Sequence, residues 1–152
     1  MTGYDKKLKK EKVVIMFFKK KRKRSLVEDI QIATPWVVDA LNSSGYTADY
    51  SIESLKELDR LLKEEKKPDG ILAKDVGYKL FALGAYLGEV MIKRYGGHWI
   101  TNDNDRKGEI KITVELDVDI TFMPVMSVMK CYENGEENSL YVLALAMEQS
   151  ID

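Results

Sequence analysis

"GYKLFALGAYLGEVMIKRYGGHW" (Gly77 to Trp99) decides the fold. Its apolar residues recur at helical spacing, and a helix is expected from about Leu72 to Tyr95, closed by Gly96 and Gly97. Inside it stand Gly77, Gly84 and Gly88, each costing a helix roughly 1 kcal/mol relative to alanine. At 100° per residue, positions 84 and 88 fall about 20° either side of position 77, and Ala73 lies roughly 40° away. The glycines therefore form one stripe. A stripe of small side chains lets a second helix or a sheet approach closely. The competing explanation is a ligand lying against bare backbone. The first reading makes this helix the centre of the fold.

Downstream, "HWIT" (98–101) opens a sheet and "NDNDRKG" (102–108) reads as a polar hairpin loop. Glu109 to Phe122 then alternates. Ile110, Ile112, Val114, Leu116, Val118, Ile120 and Phe122 face one way; Glu109, Lys111, Thr113, Glu115, Asp117, Asp119 and Thr121 face the other. That is a sheet with one wet face. Fourteen residues are long for one strand, so a bend is expected near Asp117–Asp119. The fold class is α+β, with a small antiparallel sheet at about 98–123 whose apolar face is covered by helices. Two further helices follow. One begins with Pro124 and ends before Gly135; the other is capped by Asn138 or Ser139.

Upstream, Ser25 is the expected N-cap of a helix, with Glu28 as its capping-box partner. Pro35 either kinks that helix or opens a second one behind Thr34, and Gly45 ends it. "YTADY" (46–50) reads as a short extended link or edge strand. Ser51 caps an amphipathic helix through about Lys67, its stripe being Ile52, Leu55, Leu58, Leu61 and Leu62. "PDG" (68–70) is a turn.

The chain has 152 residues, 45% apolar and 32% charged, which bounds it to one globular domain able to bury a core without a disulfide or metal staple. The single cysteine, Cys131, allows no intrachain disulfide and fits a cytoplasmic location. No apolar run is long enough to span a membrane. Charge is divided unevenly. Residues 1–24 carry eleven Lys or Arg against two acids, a net of +9; residues 25–152 carry thirteen against twenty-three, a net of −10. This describes a basic N-terminal arm on an acidic domain at 25–152, and an acidic body attracts basic partners. Met16 has the look of a natural start.

Several side chains are worth weighing as sites. Glu89 lies about 120° from the glycine stripe, and Lys93 at i+4 offers it a helical ion pair, as Lys79 does for Asp75. If Glu89 were instead buried, it could act as a general base with Tyr86 or with His98, the only histidine. Cys131 and His98 would make a nucleophile–base pair only if they met, and no motif accompanies them. Cys131 otherwise reads as a core thiol, and Met123, Met126 and Met129 as one core side of a helix or a pliable groove. Asp103 to Glu109 resembles a calcium loop but has Val114 where a bidentate Glu belongs. No metal or cofactor is expected. Glu115, Asp117 and Asp119 form an acidic row suited to a cationic partner. In the arm, Phe17 and Phe18 adjoin Lys19, Lys20, Lys21, Arg22, Lys23 and Arg24, a set that fits an anionic membrane surface or nucleic-acid phosphates.

"MFFKKKRKRS", "LNSSGYTADYSIESLKELDRLL", "FALGAYLGEVMIKRYGGHW" and "FMPVMSVMKCYENGEENSLY" together resemble a group of small uncharacterised bacterial proteins. These carry a domain of unknown function with an LGxYLGEV helix. The resemblance covers roughly residues 16 to 147. It implies no activity, cofactor or catalytic residue, but it implies an immunity-like or accessory role beside secreted toxins. The leading expectation is a non-enzymatic binding protein that meets another protein, such as a basic toxin, through Glu115, Asp117 and Asp119. An enzyme centred on Glu89 and an arm that binds membrane or nucleic acid are the alternatives. The oligomeric state is not legible.

Overall fold

The computed structural model describes residues 24–151. Its central element is helix α3 (Val76–Tyr95), surrounded by α1 (Leu26–Ser43), α2 (Leu55–Glu64), the one-turn α4 (Gly108–Lys111), α5 (Pro124–Asn134) and α6 (Leu140–Gln149). A three-stranded antiparallel sheet of β1 (Gly97–Ile100), β2 (Thr113–Leu116) and β3 (Ile120–Phe122) lies in the order β1-β2-β3. The fold is α+β, as the sequence leads one to expect. None of these helices is long and apolar enough to cross a membrane.

The glycine stripe becomes two close contacts. A Cβ built on Gly84 would lie 2.6 Å from Val125 Cγ2 and 2.7 Å from Val125 Cα, so α5 packs directly on the α3 backbone there. A Cβ on Gly88 would lie 2.0 Å from the Trp99 ring, so β1 packs one turn further along. A helix and a sheet thus both use the stripe, while Gly77 is only half-buried. Along its middle the helix is buried almost all round, from Leu80 to Gly88. This explains why an amphipathic pattern is weak in the very element that organises the core.

Local chemistry sets the helix ends. Ser25 Oγ accepts the Glu28 N–H at 3.2 Å, and Ser139 Oγ accepts the Val142 N–H at 3.2 Å. Helix α1 runs unbroken through Pro35, so no second helix starts at Thr34; the Thr34 hydroxyl donates to the Ile30 carbonyl at 2.8 Å instead. Gly45, at φ +88°, closes α1, and the Tyr46 N–H reaches back to the Leu41 carbonyl at 2.9 Å. Ser51 caps a 3₁₀ turn (Ile52–Ser54) that leads into α2, which stops at Glu64, short of the expected Lys67. Leu55, Leu58, Leu61 and Leu62 are all buried, as their spacing requires.

Three boundaries differ from expectation. Residues 71–73 form a separate 3₁₀ turn, because Asp75 takes a left-handed conformation (φ 52°) that no helix can run through; α3 starts at Val76, not Leu72. No edge strand forms at 46–50. Asn42 instead brackets Ala48, donating to its carbonyl at 3.2 Å and accepting its N–H at 2.9 Å. The long alternating segment is not one strand. Residues 108–111 form α4, where the Lys107 carbonyl accepts the Ile110 and Lys111 N–H groups at 3.1 Å. β1 has only four residues, paired with Thr113–Leu116, so there is no partner strand for 109–111 to join. The expected bend is present: residues 117–119 turn between β2 and β3, with Asp119 at φ 62°.

Candidate functional site

Carboxylates occupy two kinds of place. The first kind is inward. Asp59, on α2, accepts the Ser139 hydroxyl at 2.6 Å, the Leu140 N–H at 2.7 Å and the Tyr141 N–H at 3.3 Å. It therefore caps α6 from 80 residues away, placing negative charge against the positive end of that helix. The Cys131 Sγ lies 3.6 Å from the same carboxylate. Burial, reinforced by the negative charge of Asp59, pushes this thiol from its ordinary 9.0 up to about 12. It is an inert core thiol, not a nucleophile. Asp103 does for α1 what Asp59 does for α6: its Oδ1 accepts the Leu26 N–H at 2.8 Å. This places Asp103 in a capping role, and no group of His, Cys, Asp or Glu among the described residues is arranged to hold a metal.

The three suspected catalytic residues lie in three environments. Tyr86 is fully buried. Its Oη lies 2.6 Å from Ser54 Oγ and accepts the Tyr50 N–H at 2.9 Å. Ser54 spends its one hydroxyl proton on the Ser51 carbonyl at 2.6 Å, so Tyr86 is the donor to Ser54. Desolvation raises the Tyr86 pKa, against the lowering effect of Ser54. Glu89 does not pair with Lys93. It accepts the Trp99 indole N–H at 2.9 Å, while the Lys93 ammonium sits 4.8 Å from the Tyr50 ring centroid. Lys79 likewise leaves Asp75 and donates to the Ile71 carbonyl. His98 is exposed on the strand beside Trp99 and so points to the opposite face of the sheet. Glu89, Tyr86 and His98 are not brought together, and His98 is not paired with Cys131.

The second kind of place is outward. Glu115, Asp117 and Asp119 are all exposed. They do not form the straight row that strict alternation predicts: Glu115 stands on β2, whereas Asp117 and Asp119 belong to the turn that follows. Glu109, expected on the same wet face, is buried in α4. The Asp117 N–H donates to the Gly96 carbonyl at 3.0 Å, which fixes the turn to the C-terminal end of α3. Gly96 is at φ +76°, a backbone conformation that favours glycine, and the Asp117 carboxylate lies over it. Register places Glu115 between His98 of β1 and Thr121 of β3, with His98 Nε2 3.9 Å from Glu115 Oε1. Ile100, two residues along from His98 on the same face, is also exposed. The solvent face of the sheet is thus a small platform bearing one aliphatic side chain, bordered by carboxylates.

The acids of α2 and the turn before it are matched by neighbours. On α2, Arg60 pairs with Glu57 at 2.9 Å and with Glu64 at 2.9 Å, and Lys56 pairs with Glu53 at 3.0 Å. Asp117 and Asp119 make no ion pair among the described residues. The methionines follow neither of their expectations cleanly. Met123 is exposed and Met126 and Met129 are half-buried, because Val125, Val128 and Cys131 form the core side of α5. Of the arm's cluster, Phe17 to Lys23 lie outside the described residues; Arg24 is described, and its Nε lies 3.4 Å from Asp29 Oδ1. Sequence reasoning missed Asp59 and Asp103, since each acts on a helix distant in the chain. Comparison with protein-family models, curated proteins and solved structures finds no match.

Proposed function

We propose that this chain is a non-enzymatic binding protein that recognises a cationic protein through the acidic border of its sheet. Glu115, Asp117 and Asp119 are the contact residues. The observation that carries the reading is the placement of Asp117 and Asp119 in an exposed turn tied by the Asp117 N–H to the end of α3, with no ion-pair partner among the described residues. Charge held in place by the backbone costs little to dock and steers an oppositely charged partner. The −10 net charge of residues 25–152 extends that field. Ile100 supplies an aliphatic contact on the same platform. An immunity-like or accessory role, with a basic toxin as partner, is the version of this reading that the LGxYLGEV resemblance favours.

The test is affinity capture from cells that encode the chain, using the wild type beside the triple variant Glu115→Gln, Asp117→Asn, Asp119→Asn. Amides keep the shapes, and Asn tolerates the left-handed backbone at 119. The wild type should retain a basic protein in stoichiometric amount, released by salt. Retention of nothing, or equal retention by the variant, contradicts the proposal.

A further inference from the structure

Helix α6 lacks the polar face that a surface helix carries. From Leu140 to Met147 it holds no charged residue and one polar side chain, Tyr141. Leu140, Ala144 and Met147 enter the core, which leaves Val142 and Ala146 exposed on the far side and Leu145 half-buried beside them. Val142, 59% exposed, is the most exposed large apolar side chain among the described residues. A helix apolar all round is ordinarily covered all round. Charge marks both ends of this uncovered face. At its start, Glu53 and Lys56 pair at 3.0 Å, the Tyr141 hydroxyl donates to Glu53 at 3.2 Å, and the Lys56 ammonium lies 4.6 Å from the Tyr141 ring centroid. At its end, Arg94 Nη2 lies 3.8 Å from Glu148 Oε1. Tyr141 and Glu148 are seven residues apart, hence about 20° apart around the helix and about 10 Å apart along it. One acid and one base therefore stand at each end of the same flank, and Leu145, one turn on from Tyr141, stands near the middle.

We propose that α6 is the face through which two copies of this chain form a two-fold dimer. A two-fold axis crossing α6 at right angles near Leu145 lays the two helices antiparallel, apolar face on apolar face. The flank of one copy then meets the same flank of the other with its ends exchanged. Glu53 and Lys56 of each copy thus oppose Arg94 and Glu148 of the other, and each acid finds a base. This match favours a second copy over an unrelated partner, because only a surface that meets itself needs its own two ends to be complementary. The four side chains sum to zero charge, whereas residues 25–152 as a whole carry −10. Two acidic bodies can therefore meet here without repulsion. Ala146 adds a small side chain where the two backbones approach. One helix of 10 residues makes a face at the low end of specific interfaces, so the dimer should form at micromolar rather than nanomolar concentration.

Equilibrium sedimentation of the full chain should show a mass that rises with concentration from 17.4 kDa toward twice that value. Val142→Glu should weaken the association roughly tenfold or more, with the melting temperature in dilute solution unchanged because the site is exposed. Ile32→Glu, at an exposed apolar site on α1, should leave the association as it is. Leu145→Cys should give a disulfide-linked dimer under mild oxidation, since the axis brings the two new thiols together; the wild type, whose one thiol at Cys131 is buried, should not. A mass of 17.4 kDa at every concentration overturns the proposal. So does a dimer that Val142→Glu leaves intact, or one that Leu145→Cys fails to cross-link.

Discussion

Asp59 and Asp117 are the same residue type put to opposite uses. Asp59 faces inward, with a hydroxyl and two backbone N–H groups converging on it at the start of α6. Asp117 faces outward from a turn fastened to the end of α3, and no cation pairs with it among the described residues. The inward carboxylate is satisfied by the fold and is part of its stability. The outward one is held still by the fold but contributes its charge to the surroundings. Burial and donor count, not residue identity, separate a structural acid from one available to a partner.

The largest effect should come from breaking the inward side. Asp59→Ala leaves the Ser139 hydroxyl and the Leu140 and Tyr141 N–H groups without their acceptor, and should cost about 3 kcal/mol in urea unfolding. A loss below about 0.5 kcal/mol would show that water replaces the carboxylate and that the inward class is not structural. Gly84→Ala comes next, at about 2 kcal/mol, because the new Cβ meets Val125 backbone that cannot swing aside. An unchanged melting temperature would refute the close packing that positions both ends of α3.

Alkaline pH sharpens the comparison at Asp59's neighbour. The folded Cys131 thiol is raised from 9.0 to about 12, so it stays neutral while the unfolded thiol ionises. Its contribution to stability is complete below pH 9, declines between about 9 and 12, and vanishes above. Tyr46 adds to the same decline. Desolvation, followed by its hydrogen bond to Glu64, raises it from 10.0 to about 12. Cys131→Ala should therefore lose less stability than the wild type over that range, read by urea titration at each pH. The smallest effect belongs to the outward side: the triple amide variant at 115, 117 and 119 should change unfolding free energy by no more than about 0.5 kcal/mol.

The contrast also explains what could be read from the chain. Ser25, Ser51 and Ser139 act on N–H groups three residues away, so their caps are visible in sequence. The leucine stripe of α2 and the glycine stripe of α3 are visible because helical geometry repeats at fixed angles. Asp59 and Asp103 work across 81 and 77 residues, which no local pattern encodes. The Glu109–Phe122 alternation misleads for a related reason. Period-two spacing describes a strand only where a partner strand exists, and β1 stops after four residues. Sequence pairs Glu89 with Lys93, its neighbour one turn on, whereas the indole of Trp99 arrives through the tertiary approach that Gly88 permits.

The central claim is that the outward carboxylates, unlike the inward ones, serve a partner. Side-by-side capture with the wild type and the Glu115→Gln, Asp117→Asn, Asp119→Asn variant tests it most directly. The wild type should hold a stoichiometric basic protein that the variant loses while its fold remains intact. The same protein held equally by both, or by neither, would contradict it.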